Sequence, residues 1–183
     1  MTKNYLAIDV GGTRLKVGLI DRAGKIIEKY NERTVTTAQL HQVIDRYAGQ
    51  IRGVAFSVPG KVAHPTDTIK GGGSLTFMDG VNLRDELQLD LPVAVENDGK
   101  AAALAELWLG ELNDVADGMA IVLGTGVGGG LVLNGELVYG THYQAGELSF
   151  IFGQIETGME TSIELHGSAV EMIKRIGTQL QLP

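Results

Sequence analysis

The sequence predicts an α/β protein whose pattern restarts after a boundary near residues 114–118. Two observations lead there. Strand, glycine turn and strand follow one another near residue 9 and again near residue 124. Between them, short apolar strands alternate with segments whose apolar residues recur at helical spacing. The 183 residues suffice for one large domain or one and a fraction, and the apolar share of 44% is ordinary for a globular core.

Taken in order, Tyr5–Val10 is a short apolar strand, followed by a glycine turn and a strand in which Leu15, Val17 and Leu19 alternate. Asp21–Gly24 reads as a turn and KIIEKYNERT as a third strand, so the chain opens with an antiparallel meander. Thr37 is placed to cap a helix that carries Leu40, Val43, Ile44 and Tyr47 on one face. Ile51–Val58 is a further apolar strand, ended by Pro59-Gly60. Lys61–Gly80, rich in Gly, Thr and Asp, reads mostly as loop. Asn82–Leu89 forms a short helix before a strand at Pro92–Val95. Asp98–Leu109 is an alanine-rich helix, with Gly110 just past its end. Beyond the boundary come a strand at Met119–Leu123, a glycine loop, a hairpin through Asn134-Gly135 and a helix over Thr161–Leu182.

Composition excludes several classes of function. A net charge of −7 disfavours a nucleic-acid surface. The absence of cysteine removes disulfides, thiol nucleophiles and cysteine-bound zinc. Asp9 and Arg14 interrupt the apolar start, which argues against a signal peptide or membrane span. The expectation is a soluble cytoplasmic protein. Glycine is the outlier, at 26 residues, and suggests tight turns and ligand loops.

Three stretches carry chemistry. In DVGGT, Gly11 and Gly12 allow backbone amides to face a concave turn that suits phosphate oxygens, and Thr13 adds a hydroxyl. Asp9 suits a hydrated magnesium ion, which prefers one or two carboxylates plus water. A plain hairpin turn with an incidental acid is the alternative. LGTGVGGG places five glycines between Gly124 and Gly130, around Thr125, and fits a second loop open to phosphate. It is neither a Walker nor a Rossmann sequence, since a strand rather than a helix follows. In VENDGKAAALAE, Asn97 and Asp98 stand where a strand meets a helix, at the strand end where α/β sheets bind ligands. Asp98 serves equally well as a helix cap, and the helix dipole favours its carboxylate form.

DVGGTRLKVGLID, SVPG, VENDGKAAALAE, LGTGVGGG and AGE, in this order, resemble the repressor–ORF–kinase (ROK) family of sugar kinases, over nearly the whole chain. The resemblance implies the actin-like, ribonuclease-H-like ATPase fold: two lobes, each a mixed sheet flanked by helices, here residues 1–115 and 116–183. It also implies transfer of the γ-phosphate of ATP, with Mg2+, to a hexose or hexose derivative, as in a glucokinase, fructokinase or β-glucoside kinase, usually at the 6-hydroxyl. On that pattern Asp98 is the catalytic base and Asn97 a sugar contact beside it. Asp9, Gly11, Gly12 and Thr13 serve the γ-phosphate and metal, and Gly124, Thr125 and Gly126 the second phosphate loop. Glu147 and Glu164 match the family's sugar-side glutamates, and a homodimer is the expected assembly.

Two departures from the family pattern follow. The histidine expected three residues after Glu147 is Phe150, and the CxCGxxGCxE zinc cluster is replaced by GMETSIE, with Ser162 at a cysteine position. The expectation is a zinc-free branch in which Phe150 offers an apolar wall suited to a β-glucoside substituent. The chain also ends at Pro183, before the adenosine-binding elements the resemblance implies, so the second lobe is expected to be incomplete and ATP affinity weak.

The competing reading is a non-catalytic sugar-binding or regulatory member of the same family. With eight residues before Asp9 and an acidic charge, a DNA-binding role within this chain is not expected. For other side chains plain structural roles are expected. Leu104, Leu107 and Trp108 read as core, and Arg14 and Lys16 as a solvated strand face. His142 and His166 read as surface or core residues, and His64 and Asp67 have no evident partner.

Overall fold

The computed structural model describes residues 4–12, 14–33, 36–64, 66–72, 75–152 and 162–181. Its internal contacts divide the chain into two units, Met1–Asp98 and Gly99–Pro183.

The first unit is built on a five-stranded mixed sheet. Strands β1 (Asn4–Val10), β2 (Arg14–Ile20) and β3 (Ile26–Arg33) form the antiparallel meander that their alternation predicts. Helix α1 (Thr37–Arg46) then leads to β4 (Ile51–Val58), which pairs parallel with β1. Beyond a short hairpin, β5 (Lys61–Ala63) and β6 (Thr68–Lys70), strand β7 (Val93–Asn97) pairs parallel with β4, giving the order β3-β2-β1-β4-β7. Leu6, Ile8 and Val10 of β1, Val54, Phe56 and Val58 of β4, and Leu40, Val43, Ile44 and Tyr47 from and beside α1 share one buried core.

The cap of α1 is Thr36 rather than Thr37. The Thr36 hydroxyl accepts the Gln39 N–H while the Gln39 side chain accepts the Thr36 N–H, a reciprocal capping box. The segment expected to be loop contains the β5–β6 hairpin, followed by a 3-10 turn at Thr76–Met78. Each of these strands buries a single residue, Val62 or Ile69, too little alternation to read from sequence. Helix α2 (Leu83–Leu87) is capped by Asn82 and buries Leu83 and Leu87.

Helix α3 (Asp98–Leu109) follows β7 in sequence and lies in the second unit from Gly99 on, together with a three-stranded antiparallel sheet. That sheet is β8 (Gly118–Leu123), β9 (Val127–Leu133) and β10 (Glu136–Val138), in the order β10-β9-β8. Gly128, Gly129 and Gly130 lie within β9, so the glycine loop is shorter than expected. Their reason is close packing: a Cβ on Gly99 would lie 2.5 Å from the Gly129 nitrogen, and one on Gly130 would overlap the Ala103 Cβ. Helix α3 meets β9 through this seam of small residues. Its buried positions are accordingly Gly99, Lys100 and Ala103. Leu104 and Trp108, expected in the core, are exposed, Trp108 at 50%.

The expected single helix over Thr161–Leu182 is two helices, α4 (Ile163–Gly167) and α5 (Ala169–Leu180), with Thr161 and Leu182 outside the described residues. Ser168 breaks the run: its extended backbone ends α4, and its hydroxyl accepts the Glu171 N–H to cap α5. Met119, Ile121 and Leu123 of β8, and Ile173, Ile176 and Leu180 of α5, are exposed. No helix among the described residues is long and apolar enough to cross a membrane.

Candidate active site

In the first unit, three parallel strands end in polar side chains at matched positions. Asp9 of β1 is in register with Ser57 of β4, which is in register with Glu96 of β7; Lys16 of β2 lies opposite Asp9. One row of polar groups thus crosses four strands on one face. Ser57 donates its hydroxyl to Asp9 Oδ1 at 2.8 Å, and the Lys16 ammonium meets Oδ2 at 2.7 Å. Asp9 remains 34% exposed. Lys16 is exposed as expected, yet its partner on the neighbouring strand gives it a role that alternation alone does not reveal. Gly11 closes the following turn by donating to the Arg14 carbonyl, Gly12 is exposed, and Thr13 lies outside the described residues.

Asn97 and Asp98 stand at the junction of β7 and α3. Asn97 is 4% exposed, and its amide nitrogen donates to the Gly60 carbonyl at 2.9 Å and to Asp98 Oδ1 at 3.0 Å. Its backbone N–H goes to Glu96 Oε1 at 2.8 Å. Asp98 is exposed in the first turn of α3, where the helix dipole favours its ionised form. A buried amide therefore orients an exposed carboxylate, an arrangement suited to accepting a proton from a bound hydroxyl.

His64 and Asp67, for which the sequence offers no partner, belong to this neighbourhood. His64 Nδ1 lies 3.0 Å from Asp67 Oδ1 and Nε2 lies 3.5 Å from Glu96 Oε2. Arg84 donates to Asp67 Oδ2 at 2.8 Å and also to the Val93 carbonyl. Only the three-residue spacing of His64 and Asp67 hinted at this cluster.

In the second unit, the loop Gly124–Gly126 joins β8 to β9. The Gly124 carbonyl accepts the Ala169 N–H, the first amide of α5. Gly126 faces Ser149 and Glu164: a Cβ there would stand 3.1 Å from the Ser149 hydroxyl oxygen and 3.7 Å from Glu164 Oε1. Ser149, not foreseen from sequence, braces the loop by exchanging hydrogen bonds with the N–H and carbonyl of Val127. Thr125 is exposed, and Glu164 sits in the first turn of α4, which Ser162 caps. The loop and Glu164 are thus brought together.

Glu147 precedes a 3-10 turn at Leu148–Phe150 and pairs with the Lys100 ammonium at 3.1 Å. A lysine so deeply buried is rare unless paired, and nothing in the alanine-rich helix pattern pointed to it. Phe150 is 58% exposed. His142 is exposed, and His166 Nδ1 lies 3.2 Å from the Ser162 carbonyl. Among the described residues no group of three or more His, Cys, Asp or Glu gathers as a metal cage. A recess lined by Leu107, Leu112, Asp114, Val115, Ala116, Asn134 and Gly135 contains none of the expected site residues.

The chain has relatives among known proteins. The family model described as "ROK family" matches residues 5–158. The chain belongs to the ROK family. The ROK chain is 37% identical over 156 residues to a beta-glucoside kinase of Listeria monocytogenes, covering 81% of this chain and 53% of the relative. It is 33% identical over 163 residues to a glucokinase of Halalkalibacterium halodurans, covering 80% and 49%. In structure it resembles the ROK family glucokinase of Streptomyces griseus solved with glucose and AMPPNP: TM-score 0.82, 25% identity, 97% of this chain and 61% of that one. Its fold is therefore that of the actin-like ATPase sugar kinases. The chain spans about half the length of the curated relatives it matches.

Proposed function

We propose that this ROK chain takes part in ATP-dependent phosphorylation of a hexose or hexose derivative. The observation that carries the reading is the Asn97–Asp98 pair: a buried amide fixed to the Gly60 carbonyl, beside an exposed carboxylate in the first turn of a helix. Family membership supports it, as do relatives named as sugar kinases. In this reading the lobes are residues 1–115 and 116–183.

Asp98 accepts the proton of the acceptor hydroxyl as that oxygen bonds to the γ-phosphorus. The bond from the γ-phosphorus to the bridging oxygen breaks, and ADP leaves. Asn97 holds Asp98 and contacts the sugar. Glu147 and Glu164 accept sugar hydroxyls. Gly11, Gly12 and Thr13 serve one phosphate loop in this reading, and Gly124, Thr125 and Gly126 serve the second.

Asp9 would hold a hydrated magnesium ion through its partly exposed carboxylate, the ion taking the place of the Lys16 ammonium at Oδ2. When bound, magnesium neutralises charge on the phosphates. No zinc belongs to this reading. A homodimer does, supported by the exposed apolar side chains of β8 and α5, as does a cytoplasmic location. Sedimentation equilibrium tests the dimer.

The test of function is coupled ADP release with a panel of hexoses, aryl β-glucosides and cellobiose. Turnover with at least one acceptor is expected. Sugar binding without turnover would favour the regulatory alternative. Phe150, exposed three residues after Glu147, favours acceptors carrying a β-linked group, so cellobiose or an aryl β-glucoside should give a higher kcat/KM than glucose.

A further inference from the structure

We propose that His64 is a positioning residue for the Asn97–Asp98 pair, acting from hairpin β5–β6 through Glu96. The inference rests on the reading of Asn97 and Asp98 given above and adds the element that holds them.

The hairpin is fastened to the end of β7 at two points. At its base, the Gly60 carbonyl accepts the Asn97 amide at 2.9 Å. At its tip, the His64 ring stands between two carboxylates, with Asp67 Oδ1 at 3.0 Å from Nδ1 and Glu96 Oε2 at 3.5 Å from Nε2. Glu96 uses its other oxygen to accept the Asn97 N–H at 2.8 Å. A glutamate side chain left alone samples many rotamers. Held by His64, it keeps one oxygen on the backbone that aims the Asn97 side chain at Asp98.

The tip is itself over-determined. Asp67 adopts a φ of 52°, in the left-handed region that side chains other than glycine avoid. Arg84 holds it there, donating at 2.8 Å and reaching on to the Val93 carbonyl at the start of β7. Asn82, the cap of α2, donates to the Thr66 carbonyl at 2.6 Å. Strain kept in place by Arg84 of α2 and by Asn82, its cap, marks a loop whose position matters. Arg84, Asp67, His64, Glu96 and Asn97 form a continuous series of polar contacts that leads to Asp98, the proposed base. His64, Asp67 and Glu96 are all less than one-third exposed, so solvent screens the series only in part.

The test has one arm that does not depend on turnover. In 15N-labelled protein, His64→Ala should shift the backbone and side-chain amide resonances of Asn97 and speed exchange of its N–H, while β2 amides stay in place. His64→Gln, which retains a donor, should restore part of the wild-type pattern, and Glu96→Gln should repeat the His64→Ala shifts if that variant fails to fold. Unchanged Asn97 amides in a folded His64→Ala protein would overturn the proposal whatever the enzyme does. In the second arm, His64→Ala should lower kcat about tenfold while KM for ATP moves less than about twofold, with recovery in His64→Gln. A wild-type kcat in His64→Ala would overturn the positioning role. Absence of turnover in the wild type would instead refute the kinase reading, and the resonance arm would still decide the clamp.

Discussion

The Lys100 ammonium lies 3.1 Å from Glu147 Oε1, the lysine side chain 2% exposed and the glutamate 20%. Two residues earlier on the same helix stands Asp98. The first turn of α3 therefore carries both the proposed base and the cation that fixes one oxygen of a proposed sugar ligand, leaving the other oxygen for a hydroxyl.

Removing the lysine charge should expose this link. Lys100→Met strands a largely buried carboxylate and should destabilise the protein by about 3 kcal/mol, the low end for a broken buried pair, because Glu147 retains some solvent. The Lys100→Met/Glu147→Gln double variant should recover much of that loss in denaturant melts. In the kinase assay, Lys100→Met should raise KM for the sugar more than it lowers kcat. Additive stabilities and an unchanged sugar KM would make the pair incidental to the site.

The glycines should separate into packing and ligand classes. Gly130→Ala forces a methyl group onto Ala103 and should cost about 1–3 kcal/mol in chemical denaturation. Gly124 has open space where a Cβ would go, so Gly124→Ala should change stability by less than about 1 kcal/mol. The same variant should raise KM for ATP if bare backbone there meets phosphate. An unchanged ATP KM in Gly124→Ala would leave that loop as a plain turn.

These two classes mark where sequence reading reached and where it stopped. The meander β1–β3 was legible because Leu15, Val17 and Leu19 alternate strictly, and α1 because its apolar residues share one helical face. Gly128 to Gly130 were misread as loop because a strand glycine signals a close approach, and the approaching atoms belong to Gly99 and Ala103, distant in sequence. Lys100 resembled any surface lysine of an alanine-rich helix; its burial depends on Glu147, 47 residues away. His64 and Glu96 likewise meet only through the hairpin, whose short strands left no pattern. The places of Asp9, Asn97 and Asp98, near strand ends and at a helix start, were legible because glycine turns and a helix pattern follow them directly in sequence.

Alkaline pH should weaken the first unit through Tyr47. Burial, together with its hydrogen bond to Glu28 at 2.9 Å, pushes this phenol from its ordinary 10.0 up to about 12. The folded state therefore holds a proton that the unfolded chain releases between those values. The stabilisation is full below pH 10 and is lost as pH rises towards about 12. Tyr47→Phe should be less stable than wild type at neutral pH, yet lose less stability across that window in urea melts. Parallel curves would contradict this assignment.

Metal content offers a separate check on the branch. With no cysteine in the chain and Phe150 where the family pattern places histidine, purified protein should carry no stoichiometric zinc by elemental analysis. Turnover should stop when magnesium is chelated and return on adding magnesium alone. One zinc per chain, restored only by zinc after chelation, would contradict the zinc-free reading.

The most direct measurement is sugar phosphorylation by wild type and Asp98→Asn, with sugar affinity determined in parallel by calorimetry. The Asp98 carboxylate is expected to take the acceptor proton, so Asp98→Asn should lose turnover by about a hundredfold or more while binding sugar within a few-fold of wild type. Equal turnover in the two proteins would reduce Asp98 to the first residue of a helix and leave the kinase account without its base.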